Sequence, residues 1–268
     1  MMYLLIFLLL YILIGIIYSY IKINVSKFEI KNDKIDKNIK ILLITDVHNR
    51  KLNNKLEKLI NESNPDIIIL GGDMINSYED GYDNFLSMTN ILNKYKTYYI
   101  YGNHEEASSN IKDYEKMINK SKLILLNNKS TKITNNIVLY GLNIDKSFYE
   151  NNRKKKLSKN YLENKLGPID DTKFNILVAH DPLFNDVYSN YNFDLSLSGH
   201  IHGGIVKLPF LRGMFSPNYT FFPKYYKGMY KIKNMISIVS SGYGFSRFII
   251  PRVYNPTEIV LISLITNE

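Results

Sequence analysis

The sequence contains no cysteine. Disulfides and thiolate metal sites are therefore excluded, and any bound metal must be held by histidine, carboxylate, amide or water. Histidine is scarce as well, with five in 268 residues. No alanine precedes Ala107, and no charged side chain precedes Lys22. Those two absences bear on the N-terminus, where Met1–Ile21 is an apolar run dominated by Leu, Ile, Phe and Tyr. As a helix it spans about 30 Å, the thickness of the hydrocarbon core of a bilayer. A secretory signal would carry a basic residue ahead of the run and small residues at a cleavage site, and neither is present. A helix packed in a soluble core would keep a polar face. Residues 1–21 therefore read as an uncleaved, single-pass transmembrane anchor. Lys22, Lys27, Lys31, Lys34, Lys37 and Lys40 follow directly, and the positive-inside rule then places the body in the cytoplasm.

The remaining composition is that of a folded protein: 45% hydrophobic and 22% charged residues exclude wholesale disorder. The net charge of +9 is compatible with nucleic acid or an anionic membrane surface as partner. No basic run is regularly interleaved with aromatics, so a general abundance of lysine accounts for the charge equally well. Residues 22–39 read as a polar tether, and 40–268 as one domain. Ile41–Thr45, Asp66–Leu70 and Thr97–Tyr101 read as buried strands, with helical spacing at 53–61 and 83–93 between them. This alternation argues for an α/β fold. Further strands are expected at 137–141, 175–179, 193–197, 228–232, 235–239 and 259–262. With little helix between them, the last three suggest a second, more antiparallel sheet.

Five of the expected strands end in a possible metal ligand. The first is followed by Asp46-Val47-His48, the next by Gly71-Gly72-Asp73, and the third by Gly102-Asn103-His104-Glu105. His180 follows the strand ending at Ala179, and Gly199-His200-Ile201-His202-Gly203-Gly204 follows the one ending near Leu197. Each motif alone has a plain alternative as a turn, a helix cap or a satisfied core histidine. Together they matter, because ligands of open α/β sheets gather outside the carboxyl ends of strands. All five histidines fall inside these motifs.

In this order the motifs resemble those of the calcineurin-like metallophosphoesterase superfamily, from about Lys40 to the C-terminus. The apolar N-terminus, His202-Gly203-Gly204 followed by Leu208-Pro209, and a closing strand over 256–264 are similar to its membrane-anchored bacterial branch. The resemblance implies a two-sheet αββα sandwich (the metallophosphatase fold) carrying a binuclear site at the sheet edge. It implies that Asp46, His48 and His202 hold one metal, that Asn103, His180 and His200 hold the other, and that Asp73 bridges them. His104 would be the histidine beside the scissile phosphate that is not a ligand, and a metal-bridging hydroxide would be the nucleophile. Asn103 also counts as a candidate substrate-binding residue.

Two divalent metals suit this chemistry because they clamp an anionic phosphoryl group and acidify water. Histidine, carboxylate and amide ligands favour Mn, Fe or Zn over Ca. Asp181 and Glu105 are placed to orient imidazoles from behind. The sequence departs from the branch at Asn49-Arg50, where Arg50 is a candidate for the substrate phosphate, and at Ile205, where the branch often has glutamine. Aromatics crowd 207–227 (Pro209, Phe210, Phe215, Tyr219, Phe221, Phe222, Tyr225 and Tyr226), either gripping an amphiphile or bilayer or packing on the body. The expected activity is hydrolysis of a phosphodiester or pyrophosphate, lipid- or envelope-linked. A nuclease of the same superfamily is the second reading. A non-catalytic scaffold is disfavoured because every ligand position is filled.

Overall fold

The structure is a computed structural model that describes residues 2–79, 81–149, 156–207, 212–217, 220–245 and 250–267. In chain order its elements are α1 (Met2–Ile21), β1 (Ile23–Lys31), β2 (Ile39–Ile44), α2 (Asn54–Ser63), β3 (Ile67–Gly71), α3 (Asp83–Leu92) and β4 (Lys96–Ile100). Then come α4 (Asn103–Ala107), α5 (Ile111–Lys120), β5 (Ile124–Leu125), β6 (Lys129–Lys132), β7 (Ile137–Leu142), α6 (Lys159–Leu166) and β8 (Phe174–Ala179). The chain closes with α7 (Asn185–Tyr188), β9 (Leu195–Ser198), β10 (Gly228–Ile232), β11 (Met235–Val239) and β12 (Thr257–Ile265).

Two six-stranded sheets lie face to face, ordered β1-β12-β2-β3-β4-β5 and β10-β11-β9-β8-β7-β6. Alternation along β2 shows how the layers form. Ile41 and Leu43 point between the sheets, beside Ile67, Ile69, Ile176 and Val178. Leu42 and Ile44 point outward, into a layer closed by Leu56 and Ile60 of α2 and by Phe85, Met88 and Tyr114. The second sheet has its own outer layer, with Leu177 and Ala179 beneath Leu162 and Tyr188. Strands covered on both faces need no polar alternation, so they read as unbroken apolar runs. The result is the expected αββα sandwich, preceded by one helix long and apolar enough to cross a membrane.

Helix ends follow local chemistry. Asn53 caps α2 by accepting from the Leu56 amide, and Asn64 ends it in a left-handed conformation. Ser158 caps α6 in the same way.

Two expectations are corrected. Residues 23–31 are not a tether but β1, paired in parallel with β12 over nine residues. Phe28 and Ile30 face the layer between the sheets, and Ile23 and Val25 face the outer one. Its lysines suit an edge strand, where charge blocks further pairing. The second correction concerns β12. It does not join β10 and β11 but crosses to the first sheet, parallel to β1 and antiparallel to β2. Among the last three strands only β10 and β11 form an antiparallel pair, and β11 runs parallel to β9.

Candidate metal centre

The parallel strands β2, β3, β4, β8 and β9 all end at one edge of the sandwich, and the loops that leave them converge. Asp46, His48, Asp73, His200 and His202 each adopt a positive φ, between 50° and 69°. Such backbone costs non-glycine residues about 1–3 kcal/mol apiece and clusters at functional sites. Here it turns each side chain sharply off its strand end. Glycines make room for the carboxylates: a Cβ on Gly199 would sit 2.3 Å from Asp46 Oδ2.

The side chains form two triads. Asp46, His48 and His202 bring one ligand atom each within 4.8 Å of one another, as do Asp73, His180 and His200. Asp73 also groups with His48 and His104, so it lies between the two triads. His180 Nε2 is 3.0 Å from Asp73 Oδ2 and 3.7 Å from Asp46 Oδ1, which itself lies 3.6 Å from His202 Nε2. His48 Nε2 and His202 Nε2 face each other at 3.2 Å.

Electrostatics show what the cluster lacks. Burial, with His104 next, pushes His48 down to about 3. Burial, His48 and Arg252 push His202 well below the usual histidine range. Both rings are thus neutral, with two nitrogens aimed at one point. Burial raises the Asp46 carboxyl, and Asp73 adds to it. Burial would lower His180, but Asp73 and Asp46 hold it up at about 10. Asp46 Oδ2 and Asn103 Oδ1 are buried with no hydrogen bond among the described residues, an arrangement proteins rarely tolerate without a ligand. Neutral imidazoles, paired carboxylates and an unsatisfied amide oxygen fit divalent metal ions.

Behind the triads, Asn76 Oδ1 accepts from His48 Nδ1 at 3.0 Å, and Asn76 Nδ2 donates to His48 O at 3.0 Å. This fixes the His48 tautomer, with the Nε2 lone pair turned into the cluster toward His202 Nε2. Asn76→Ala is expected to weaken metal binding about 10–100-fold, measurable by competition with a chelating indicator; unchanged affinity would dismiss the role. Arg252, buried, places Nη2 3.0 Å from His202 Nδ1, 2.6 Å from Ser241 O and 3.0 Å from Gly244 O. Neither residue belongs to a recognisable spacing. The only sequence signal for each is a polar group beside an apolar stretch.

Asp181 and Glu105 part company. Asp181 Oδ2 lies 4.0 Å from His200 Nε2, beyond hydrogen-bond length, and its Oδ1 accepts from the Leu183 amide at 2.9 Å. Glu105 instead accepts from the backbone amides of Gly102, Asp73, Met74 and Ile75, at 2.7–3.1 Å. It fastens the loop after β3 to the start of α4, so it positions Asp73 through the backbone.

Arg50 packs against aromatic rings. Its Nη1 donates to Tyr243 O at 2.7 Å, and its guanidinium lies 4.4 Å and 4.0 Å from the Tyr243 and Phe245 ring centroids. Cation–π packing engages it. In the aromatic loop, Tyr225 is buried with its hydroxyl on Asp186, while Phe221 and Phe222 are 68% and 53% exposed. Leu208, Pro209, Phe210 and Tyr219 lie outside the described residues.

His104 stands at the solvent side of the cluster. Its Nδ1 accepts from Ser77 N at 3.1 Å and lies 3.2 Å from Ser77 Oγ. Its backbone amide, not its ring, donates to Asp73 Oδ1 at 2.8 Å.

Comparison with known proteins bears on what this cluster does. The profile described as calcineurin-like phosphoesterase matches residues 39–204. A metallophosphoesterase of Campylobacter jejuni is 30% identical over 259 residues, covering 90% of this chain and 63% of that protein. One from Helicobacter pylori strain J99 is 29% identical over 242 residues, covering 87% and 61%. One from Bacillus subtilis is 28% identical over 209 residues, covering 76% and 70%. The chain thus spans less than two thirds of the first two relatives.

Proposed function

Because this chain belongs to the calcineurin-like phosphoesterase family, whose members hydrolyse phosphoesters with metal ions, we propose that it is a membrane-bound hydrolase of a phosphodiester or pyrophosphate working at a binuclear centre. The observation that carries this reading is the position of Asp73 between two complete triads. Asp46, His48 and His202 would hold one ion, and His180, His200 and Asn103 the other, with Asp73 shared. Mn, Fe or Zn suits the donor set. Bound there, the ions would supply positive charge for the phosphoryl oxygens and acidify water near neutral pH.

The protein's own contribution is orientation and a hydrogen-bond donor. A backbone amide can only donate, so His104 Nδ1 accepts from Ser77 and the neutral ring carries its proton on Nε2. That N–H can donate a hydrogen bond to the leaving oxygen and stabilise its developing charge. Asn76 and Glu105 hold ligands in place. The apolar α1 supports an envelope- or lipid-linked substrate, and the lysines after it support a cytoplasmic body.

The test is metal analysis of the full chain purified in detergent, with hydrolysis of bis-p-nitrophenyl phosphate and p-nitrophenyl phosphate followed with and without Mn²⁺. Two metal equivalents and metal-dependent cleavage favouring the diester are expected. Less than one equivalent, or turnover indifferent to metal, would refute the binuclear reading.

A further inference from the structure

Helix α1 is fastened to the body along half its length. Tyr254 donates its amide to Gly15 O at 3.0 Å and its hydroxyl to Tyr11 O at 3.1 Å. The Asn255 amide donates to Ser19 Oγ at 2.9 Å, and Ser19 donates in turn to Gly15 O at 2.7 Å. Gly15 is needed for this approach, since a Cβ there would meet the Tyr254 ring at 2.6 Å. Tyr20 stacks on Phe245, centroids 4.0 Å apart. From Ile21 back to Tyr11 is ten residues, so the body climbs about 15 Å along the helix.

The other face of that same stretch is bare. Leu13, Ile14, Ile17 and Ile21 are 47–68% exposed. If this face is buried in lipid, the body alongside it must be brought to the same depth.

A hydrogen-bonded ribbon continues outward from the docked segment. Val253 bridges Val206, Met214 donates its amide to Val206 O at 3.0 Å, and Phe222 donates its amide to Met214 O at 3.0 Å. Four chain segments therefore lie side by side, about 5 Å apart, with exposed Phe221 and Phe222 at the outer end. Exposed Ile250 lies near the inner end, and Lys207 and Arg212 are exposed along the ribbon. Single exposed phenylalanines on a soluble surface mean little. Their continuity with an apolar helix is what gives this pair weight.

We infer that α1 and this ribbon form one membrane-seated surface, with the body sunk into an anionic lipid bilayer. Phe221 and Phe222 enter the acyl boundary, while Lys207 and Arg212 meet lipid phosphates. The ribbon springs from Gly203-Gly204, directly after His202, and Asn255 Nδ2 donates to His202 O at 2.6 Å and Ile205 O at 3.2 Å. The metal centre is thus held at a fixed height above the lipid. That its substrate is a phosphoester at headgroup level rests on the function proposed above; the seat itself does not.

The chain has no tryptophan, so a single introduced one reports its own surroundings. Full-length Leu8→Trp, Phe222→Trp and Ile124→Trp would be reconstituted in phosphatidylcholine–phosphatidylglycerol vesicles with and without lipid brominated near the glycerol end of its chains. Ile124 lies on β5, the edge of the first sheet opposite β1. Trp at 8 and 222 should be blue-shifted and quenched several-fold by the brominated lipid, and Trp at 124 unaffected. Phe221→Trp serves if the variant at 222 does not fold. Quenching at 8 without quenching at 221 or 222 overturns the proposal, as does a blue shift there without quenching, which would place protein over the ribbon. No quenching at 8 removes the membrane and the seat together. Cleavage of a soluble diester is a separate readout, so either idea can fail alone.

Discussion

His104→Ala is expected to lower turnover of an alkyl phosphodiester by about 10²–10³-fold, the range of one lost hydrogen-bond donor to developing charge, with metal content unchanged. The geometry separates the two effects. The ring is oriented by Ser77 through Nδ1, whereas the bond from residue 104 to Asp73 Oδ1 comes from the backbone amide and survives in the alanine variant. Metal analysis beside steady-state kinetics checks this. Loss of metal would make His104 a ligand, a possibility its grouping with His48 and Asp73 makes worth testing. The leaving group supplies a second readout. A p-nitrophenolate departs without needing a proton, so its ester should suffer far less than the alkyl one. Equal losses on both substrates would place the His104 N–H on a phosphoryl oxygen instead of the leaving oxygen.

What could be read from the chain alone follows from burial. Strands β2, β3, β4 and β8 are covered on both faces and stand out as apolar runs, each broken where a polar ligand begins. The five motifs were legible for the same reason, because a strand end is visible even when its neighbours in space are not. β1 was hidden by Lys27, Glu29 and Lys31, which suit an edge strand but imitate a tether. The run at 257–265 signals a buried strand, yet nothing local says which sheet it joins. Pairing with β1 and β2, more than two hundred residues away in sequence, decides that. The aromatic partners of Arg50, Tyr243 and Phe245, were hidden similarly, since they lie far along the chain. The backbone strain at Asp46, His48, Asp73, His200 and His202 had no signature at all, because none of the five is glycine.

Asp73→Asn is expected to cost more than any other single substitution. The change keeps the shape of the side chain and an oxygen to accept from the His104 amide, but it removes the charge that groups with His180 and His200 on one side and with His48 on the other. In the wild type burial would raise the Asp73 carboxyl, yet His180 and His104 hold it well below the usual carboxylate range, so it is anionic throughout the working pH. Its carboxylate faces His180 at 3.0 Å and groups with His48 on the other side. A neutral amide binds a hard divalent cation more weakly, and losing about 4 kcal/mol of charge stabilisation is about a thousandfold in rate. Bound metal should fall to one equivalent or less, and hydrolysis should fall by about 10³-fold or more. The rise in thermal midpoint that metal confers should shrink as well, because ligand binding stabilises only in proportion to its affinity. Without metal, variant and wild type should unfold alike in shape, showing an intact sandwich by far-ultraviolet dichroism. A variant that kept two tightly bound metals would show that Asp73 is not the shared ligand, and the proposed division into two triads would have to be redrawn around Asp46.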